Sequence, residues 1–396
     1  MRTNCPVWGR SLLSLGMSQE GEFFLFVGMA FFGKASGMFK HLSALLLCAL
    51  ACSAAALSGS KNLVWRDARA LTVEGKGWTN TFQFYDRLPK TAKGVVRGPV
   101  WGLSQDSAGM AVRFVTDSTE ISARWTLRHT NLAMAHMPAS GVSGLDLYTK
   151  ENGKWHWVGA GRPNQFPTNE AVLARGLKPG IREYVLYLPL YNGVDAVEIG
   201  VMPQSHLEAA PVRAQKPIVF YGTSILQGGC ASRPGMAYPS IVGRWLDWPV
   251  INLGFSGNAH SEPEVADLLA QLDPAVYVLD PLPNMTAELV SKRIEPLVRT
   301  LRTTHMTTPI ILVENVEYCD ALFVEGRRGY IKSNAALKTA YENLKHSGVR
   351  NLRYVTSKNL IGSDGEGTVD GTHATDLGFE RMAEKVTPIL RKALPR

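Results

Sequence analysis

From Asn62 to about Ala214 the apolar positions alternate with period two. Val112 and Phe114, then Ile121, Ala123, Trp125 and Leu127, each fall on one face of an extended strand. Residues 144–148, the tripeptide Glu151-Asn152-Gly153 and residues 155–158 read as two strands joined by an Asn-Gly turn. Asn-Gly is a hairpin signal because both residues tolerate the positive φ that such a turn demands. Residues 184–190, Asn192-Gly193 and residues 197–201 repeat the arrangement and predict a second hairpin. No long helix is expected in this half, and strands this short and this regularly interrupted predict a β-sandwich or jelly roll.

After Pro217 the pattern changes to unbroken apolar runs at residues 218–221, 250–253, 276–279, 310–313 and 352–355. Between and after them, residues 239–245, 263–271, 287–303, 331–347 and 377–394 carry apolar side chains at helical spacing. Continuous runs alternating with helices predict a parallel sheet covered on both faces, a doubly wound α/β domain. Ligands of such sheets bind beyond the carboxyl ends of the strands, which directs attention to the residues that follow each run.

The first sixty residues follow neither pattern. Beyond Met38 come Lys40 and His41, an apolar stretch over residues 42–57, and the small residues Ser53-Ala54-Ala55-Ala56 within its end. Basic, then apolar, then small is the order of a secretory signal peptide, here with its start at Met38 and cleavage near residues 56–60. The stretch is short of the roughly 20 residues a spanning helix needs, so no stable membrane anchor is expected. An upstream apolar patch, residues 23–32, follows Glu20 and Glu22, the wrong charge for a signal; a membrane anchor is the other reading of it. The expected division is a leader over residues 1–60, a sandwich over 61–214 and an α/β domain over 215–396, with a secreted or periplasmic location.

Composition adds little to this picture. The chain carries 45% hydrophobic and 19% charged residues and a formal charge of +8, with no block of five or six Lys/Arg, so nucleic acid is not an expected partner. Its 37 Gly and 22 Pro suit many tight turns. Cys230 and Cys319 are the two cysteines beyond the leader and are expected to be buried thiols, with a disulfide as the other reading.

The strand ends hold the candidate chemistry. Ser224 follows the first run within Gly222-Thr223-Ser224 and stands either as a nucleophile at the sheet edge or as a helix cap. The segment lacks the lysine of a phosphate loop, and Leu226 breaks a G-x-S-x-G elbow. Gly254 follows the second run and Asn284 the third; each can offer an N–H to a ligand or serve turn geometry. Before the last helix, Asp370 precedes His373 by three residues, so its carboxylate can accept one ring N–H and leave the other nitrogen as a base. The alternatives are Asp370 as a helix cap and His373 as a metal ligand; with no HExxH or CxxC in the chain, no metal is expected.

Taken together, Ser224, Gly254, Asn284 and Asp370-x-x-His373 resemble the SGNH, or GDSL-type, hydrolases. The closing stretch over residues 364–378 and the segment Gly144-Leu145-Asp146-Leu147-Tyr148 are similar to the branch of that family in which a G-x-D-L-Y sandwich precedes the hydrolase. The resemblance covers residues 62–394, with two departures: Thr223 stands where the family has the Asp of G-D-S, and Met285 replaces an Asp that commonly follows the Asn. It implies a flavodoxin-like hydrolase domain with Ser224 as nucleophile, His373 as base and Asp370 orienting it. The N–H groups of Ser224 and Gly254 and the side chain of Asn284 would form the oxyanion hole, with no cofactor. The implied activity is an exported serine esterase acting on acyl, chiefly acetyl, esters of a polysaccharide or another small acylated molecule. A carbohydrate-binding or adhesion protein with an inert hydrolase half and a lipid or phospholipid acyl-hydrolase are the alternatives; no apolar lid is evident over residues 228–239. Trp155, Trp157, Tyr187 and Tyr191 are expected mainly in cores, with sugar stacking as their other role. Arg233 is expected to be a surface or loop-fixing residue, with pocket lining as the other reading.

Overall fold

In the first half the alternation along the chain becomes an alternation of burial: Val112, Phe114, Ile121, Ala123 and Trp125 have no exposed surface. The computed structural model describes residues 63–395, so the leader expected over residues 1–60 lies outside the described residues. Among the described residues ten strands precede residue 210: β1 (Val64–Asp67), β2 (Thr72–Glu74), β3 (Ala111–Thr116), β4 (Glu120–Leu127), β5 (Leu145–Glu151), β6 (Lys154–Gly161), β7 (Thr168–Arg175), β8 (Arg182–Tyr187), β9 (Val194–Val201) and β10 (Leu207–Ala209). They form two antiparallel sheets, ordered β1-β9-β4-β7 and β10-β3-β8-β5-β6, with β2 also paired to β3. Their inner faces meet in one core that includes Phe114, Trp125, Leu147, Tyr184 and Ile199. Burying a Leu, Ile or Phe side chain of this kind contributes about 1.5–3 kcal/mol. The expected sandwich is therefore present.

Its first hairpin is as read, β5 pairing with β6 across a turn in which Asn152 has φ 50° and Gly153 φ 77°. The second is not a hairpin. β8 pairs with β3 and β5, whereas β9 pairs with β1 and β4, so Asn192-Gly193 carries the chain from one sheet to the other. Asn192 is fully buried: its Oδ1 accepts from His129 N at 2.9 Å, and its Nδ2 donates to His129 O at 2.9 Å and Ser143 Oγ at 3.1 Å. A crossing and a hairpin interrupt the strand pattern alike; the difference lies in partners far away in sequence.

The second half holds β11 (Ile218–Gly222), β12 (Val250–Gly254), β13 (Val276–Asp280), β14 (Ile310–Val313) and β15 (Leu352–Val355), all parallel and ordered β12-β11-β13-β14-β15. That is the flavodoxin-like order of a doubly wound sheet. The main helices, Tyr238–Leu246, Pro263–Ala270, Ala287–Thr304, Gly329–His346 and Asp376–Arg391, pack on the two faces over separate cores. The halves form a single compact unit. They are joined by buried polar contacts, chief among them Asp146 on β5 with Arg233 in the loop after the first α/β turn.

Candidate active site

Gly222 at the end of β11 lies in register with Gly254 on β12 and Asp280 on β13, so three strands end level and the residues after them share one edge. The strand order reverses between β11 and β13, the place where a sheet of this class opens a crevice. Ser224 begins the short helix Ser224–Gln227, which ends at left-handed Gly228 with φ 110°. The cap of that helix is Thr223, whose Oγ1 accepts from Ile225 N at 3.3 Å. Ser224 is thus relieved of the capping role. Thr223 itself has no exposed surface, and a hydroxyl there caps the helix without burying a carboxylate.

Ser224 Oγ lies 2.9 Å from His373 Nε2, and His373 Nδ1 lies 2.7 Å from Asp370 Oδ2. With the ring proton on Nδ1, donated to Asp370, Nε2 presents its lone pair to the serine hydroxyl. Asp370 Oδ1 accepts from Thr372 N at 3.0 Å and His373 N at 2.7 Å. Partial burial opposes ionisation of Asp370, but the hydrogen bonds from the His373 ring and backbone and from Thr372 N outweigh it and hold the carboxyl at about 2. Asp370 is not a helix cap: Thr375 caps the helix Asp376–Arg391, its Oγ1 accepting from Gly378 N at 3.1 Å. Arg327 braces the same turn, donating to Gly371 O and Asp320 Oδ1 at 2.9 Å each.

Candidate hydrogen-bond donors stand at the ends of β11 and β13. The N–H of Ser224, at the first position of a helix, has no intrahelical acceptor. Asn284 Oδ1 accepts from Ala259 N at 3.3 Å, which turns its amide nitrogen the other way. Gly254 approaches the nucleophile helix so closely that a Cβ would stand 2.3 Å from Gln227 N. Its own N–H donates to Asn252 Oδ1 at 2.9 Å, while Asn252 Nδ2 donates to Leu226 O at 2.9 Å. Met285 is buried, with its Sδ accepting from Ser261 Oγ at 3.5 Å, so an apolar residue suits the place where the family commonly has Asp.

The floor of the site comes from residues that sequence reasoning did not find. Arg87, buried and from the sandwich half, donates to Gly254 O at 2.7 Å, Asn252 O at 3.2 Å and Asp106 O at 3.0 Å. Burial lowers its guanidinium to about 10. Gln227, with no exposed surface, donates to Asp106 Oδ2 and Leu190 O at 3.0 Å each and accepts from Ser256 N at 3.1 Å. Burial lifts Asp106 to about 6 against the pull of Arg87. Nothing local in the sequence marks Arg87, whose partners lie up to 167 residues away. Asp146 was marked by its motif, and Arg233 proves to fix a loop: it donates to Asp146 Oδ2 at 2.8 Å, Gly235 N donates to the same oxygen at 2.9 Å, and Trp157 Nε1 donates to Oδ1 at 2.9 Å.

Trp157 therefore belongs to the junction of the two halves, as does Trp155, whose Nε1 donates to Asp247 at 3.1 Å. Tyr191 is nearer the chemistry, its hydroxyl donating to Ser224 O at 3.3 Å. A cleft of about 520 Å³ adjoins the strand ends, lined among others by Asn284, Tyr318, Arg327, Tyr330 and Lys332. Beside it, on the segment that Arg327 ties to Gly371, Leu322 and Phe323 stand more than four-fifths exposed. Cys230 and Cys319 are free thiols, the first buried and the second half-buried. Burial, with Asp370 adding to it, pushes the Cys230 thiol up to about 12, so with nothing bound it stays protonated at neutral pH.

A family described as GDSL-like lipase/acylhydrolase matches residues 215–391, and one described as the N-terminus of SGNH-hydrolase-type esterases matches residues 63–207. Among solved structures, a protein from Bacteroides ovatus described as a GDSL-like lipase is 37% identical, with 84% of this chain and 98% of that one covered and a TM-score of 0.80. The salicylyl-acyltransferase SsfX3 of a tetracycline biosynthetic pathway shares the fold at 18% identity, over 84% of this chain and 98% of its own, with a TM-score of 0.68. A family two carbohydrate esterase from Clostridium thermocellum, solved with cellohexaose, shares it at 17% identity, over 72% and 92%, with a TM-score of 0.52. Among curated proteins no sequence matches.

Proposed function

This chain belongs to the GDSL-like lipase/acylhydrolase family, an ester hydrolase of SGNH type, and from that premise we propose that it cleaves acetyl esters on carbohydrate through Ser224, His373 and Asp370. The observation that carries the proposal is the unbroken relay from Ser224 Oγ to His373 Nε2 at 2.9 Å and from His373 Nδ1 to Asp370 Oδ2 at 2.7 Å. In this reading His373 takes the serine proton as Oγ attacks the carbonyl, and Asp370, ionised throughout the neutral range, steadies the imidazolium. The oxyanion is met by the Ser224 N–H and the Asn284 amide. Gly254 N–H is a third donor that the oxyanion must share with Asn252. His373 then returns its proton to the departing alcohol, and water repeats the cycle on the acyl-enzyme.

Acetyl is favoured over a long acyl chain because the residues following Ser224, from Gly228 to Ala237, are drawn onto the sandwich by Arg233 and Gly235. Tyr318 and Tyr330 with Arg327 and Lys332 give the adjoining cleft the mix of rings and donors that suits a sugar. The fold shared with a carbohydrate esterase agrees with that substrate class. Export is part of the proposal, on the basic-apolar-small order of residues 40–57; among the described residues no helix is long and apolar enough to cross a membrane. A second reading, an ester with an apolar acyl or alcohol group, draws on exposed Leu322 and Phe323 at the edge of the cleft. Acetate release from a panel of acetylated glycans, set beside fatty-acid release from phospholipid vesicles, decides between them. Turnover of vesicles alone would refute the carbohydrate proposal, and full activity in Ser224→Ala would refute the mechanism.

A further inference from the structure

The fold assembles a second set of donors around the histidine. His136 stands at the tip of a tight turn closed by Met134 N to Met137 O at 3.0 Å and Met137 N to Met134 O at 3.1 Å. Its ring centroid lies 5.5 Å from that of His373. Cys230 reaches the same point from the loop after the nucleophile helix, in a left-handed conformation with φ 73° that a side-chain-bearing residue rarely adopts. One ligand atom each from His136, Cys230, Asp370 and His373 lie within 4.8 Å of one another. Three separate stretches of chain thus converge, none of them adjacent in sequence.

Two imidazoles, a thiol and a carboxylate are the donors that zinc and its borderline neighbours prefer. A histidine whose second ring nitrogen is held by a carboxylate, as Asp370 holds His373, is the usual form of a metal-bound imidazole. Zn–N bonds of about 2.1 Å and Zn–S bonds of about 2.3 Å set tetrahedral ligands about 3.4–3.6 Å apart. The cluster must close by roughly 1 Å to reach that spacing, a movement open to His136 because it is exposed on its turn. The reading of Cys230 as an inert buried thiol leaves its strained backbone and its position beside His373 unexplained; a metal-binding role accounts for both.

We propose that His136, Cys230 and His373, with Asp370 in support, form an inhibitory site for zinc-class divalent cations that switches the hydrolase off. Binding is a ligand exchange without redox change: Cys230 releases its thiol proton to solvent, and the neutral imidazoles donate lone pairs. Either nitrogen of His373 suffices for inhibition. A metal at Nε2 takes the lone pair that would receive the Ser224 proton, and a metal at Nδ1 displaces the hydrogen bond to Asp370. The switch rests on the catalytic reading above, whereas the metal site does not.

The test uses chelator-treated protein and Zn²⁺ in an acetyl-ester assay, with Co²⁺ as a spectroscopic probe. Wild type is expected to lose activity at one zinc per chain, to regain it with EDTA, and to show a thiolate-to-cobalt charge-transfer band. Cys230→Ala and His136→Ala are expected to keep basal turnover while needing at least about 10-fold more zinc for the same inhibition, and Cys230→Ala should lose the band. His136→Ala, on an exposed turn, serves if Cys230→Ala folds poorly. Equal inhibition of wild type and both variants, or no cobalt band in wild type, would overturn the site. A band with unaltered turnover would overturn the switch. Ser224→Ala, measured alongside, keeps the two readings apart: full hydrolysis there refutes the catalytic assignment, while its cobalt band still reports on the metal site.

Discussion

Replacing Asp146 by Asn probes how the sandwich supports the hydrolase. The carboxylate has no exposed surface and collects donors from three places: Arg233 at 2.8 Å, Gly235 N at 2.9 Å and Trp157 Nε1 at 2.9 Å. Burial lifts its pKa, opposed by Arg233 and Arg244, so the intact pair contributes modestly on balance. Breaking it is another matter. Asparagine keeps the shape but turns an N–H₂ toward groups that are themselves donors, and it leaves the Arg233 charge without its counter-ion. Losing one partner of a buried pair typically costs about 3–5 kcal/mol; the Arg233 side chain retains 24% exposure, which places this case at about 2–3 kcal/mol. The released loop includes Gly229, where an added Cβ would lie 3.2 Å from His373 Cδ2, so the histidine loses a wall. A displacement near 1 Å at reacting groups costs on the order of 10²-fold. Urea unfolding and kcat on an acetyl ester measure the two effects, and a double-mutant cycle with Arg233→Met isolates the pair. A loss below about 0.5 kcal/mol with unchanged kcat would refute the account.

Other perturbations test the site itself. Asn284→Ala should lower kcat by about 10²–10³ with little change in KM, as loss of one oxyanion donor does; an unchanged kcat removes Asn284 from the site. Gly254→Ala places a Cβ 2.3 Å from Gln227 N and 2.6 Å from its Cα. The nucleophile helix must therefore shift, for about 1–3 kcal/mol of stability and a lengthened contact between Ser224 and His373, read as a drop in kcat and in melting temperature. Asp370, held at about 2, supports folding fully above its unfolded value near 3.8 and loses that support as pH falls toward 2; Asp370→Asn should therefore flatten stability in urea unfolding only below about pH 4. Asp280 behaves oppositely. Fully buried beside the Tyr238 hydroxyl at 2.9 Å, it is lifted to about 7, so its folded form keeps a proton that the unfolded chain has lost. Stability should fall as pH rises from about 4 to 7, by up to roughly 1.4 kcal/mol per unit for this group. Asp280→Asn should remove that slope in urea unfolding, and an identical slope in the variant would count against it.

The strands and helices of the second half could be read almost to the residue because each is a local event: a buried parallel strand is a continuous apolar run, and an amphipathic helix repeats every few residues. The same holds for the turn at Asn152-Gly153. Asn192-Gly193 carries the same local signal yet forms a crossing, since only the register of β8 and β9 against distant strands separates a hairpin from a crossing between sheets. At the strand ends, the motifs singled out Ser224, Asp370 and His373, which the fold joins in one hydrogen-bonded series. Asn252, which takes the Gly254 N–H, and Arg87, which holds the Gly254 carbonyl, carry no local signature. Both are polar side chains in segments whose pattern reads as strand or loop; Asn252 acts within the hydrolase half, whereas Arg87 meets Gly254 only once the halves are docked.

That docking explains why a signature in the sandwich accompanies a hydrolase. In G-x-D-L-Y, Leu145 and Leu147 face the sandwich core, whereas Asp146 and Tyr148 point the other way, toward Arg233 and Arg244. Gly144 admits no side chain, because a Cβ would stand 2.3 Å from Ser140 O and 2.6 Å from Gly161 O. Alternation along a single strand thus builds the inside of one domain with its odd residues and anchors the other domain's active-site loop with its even ones. A one-residue slip of β5 would exchange the two sets, burying Asp146 among leucines and leaving Arg233 unpaired. The sandwich therefore anchors the loop that follows Ser224, and a hydrolase domain expressed without it should have the loop from Gly228 to Ala237 unfixed and turnover of an acetyl ester depressed at least as far as in Asp146→Asn.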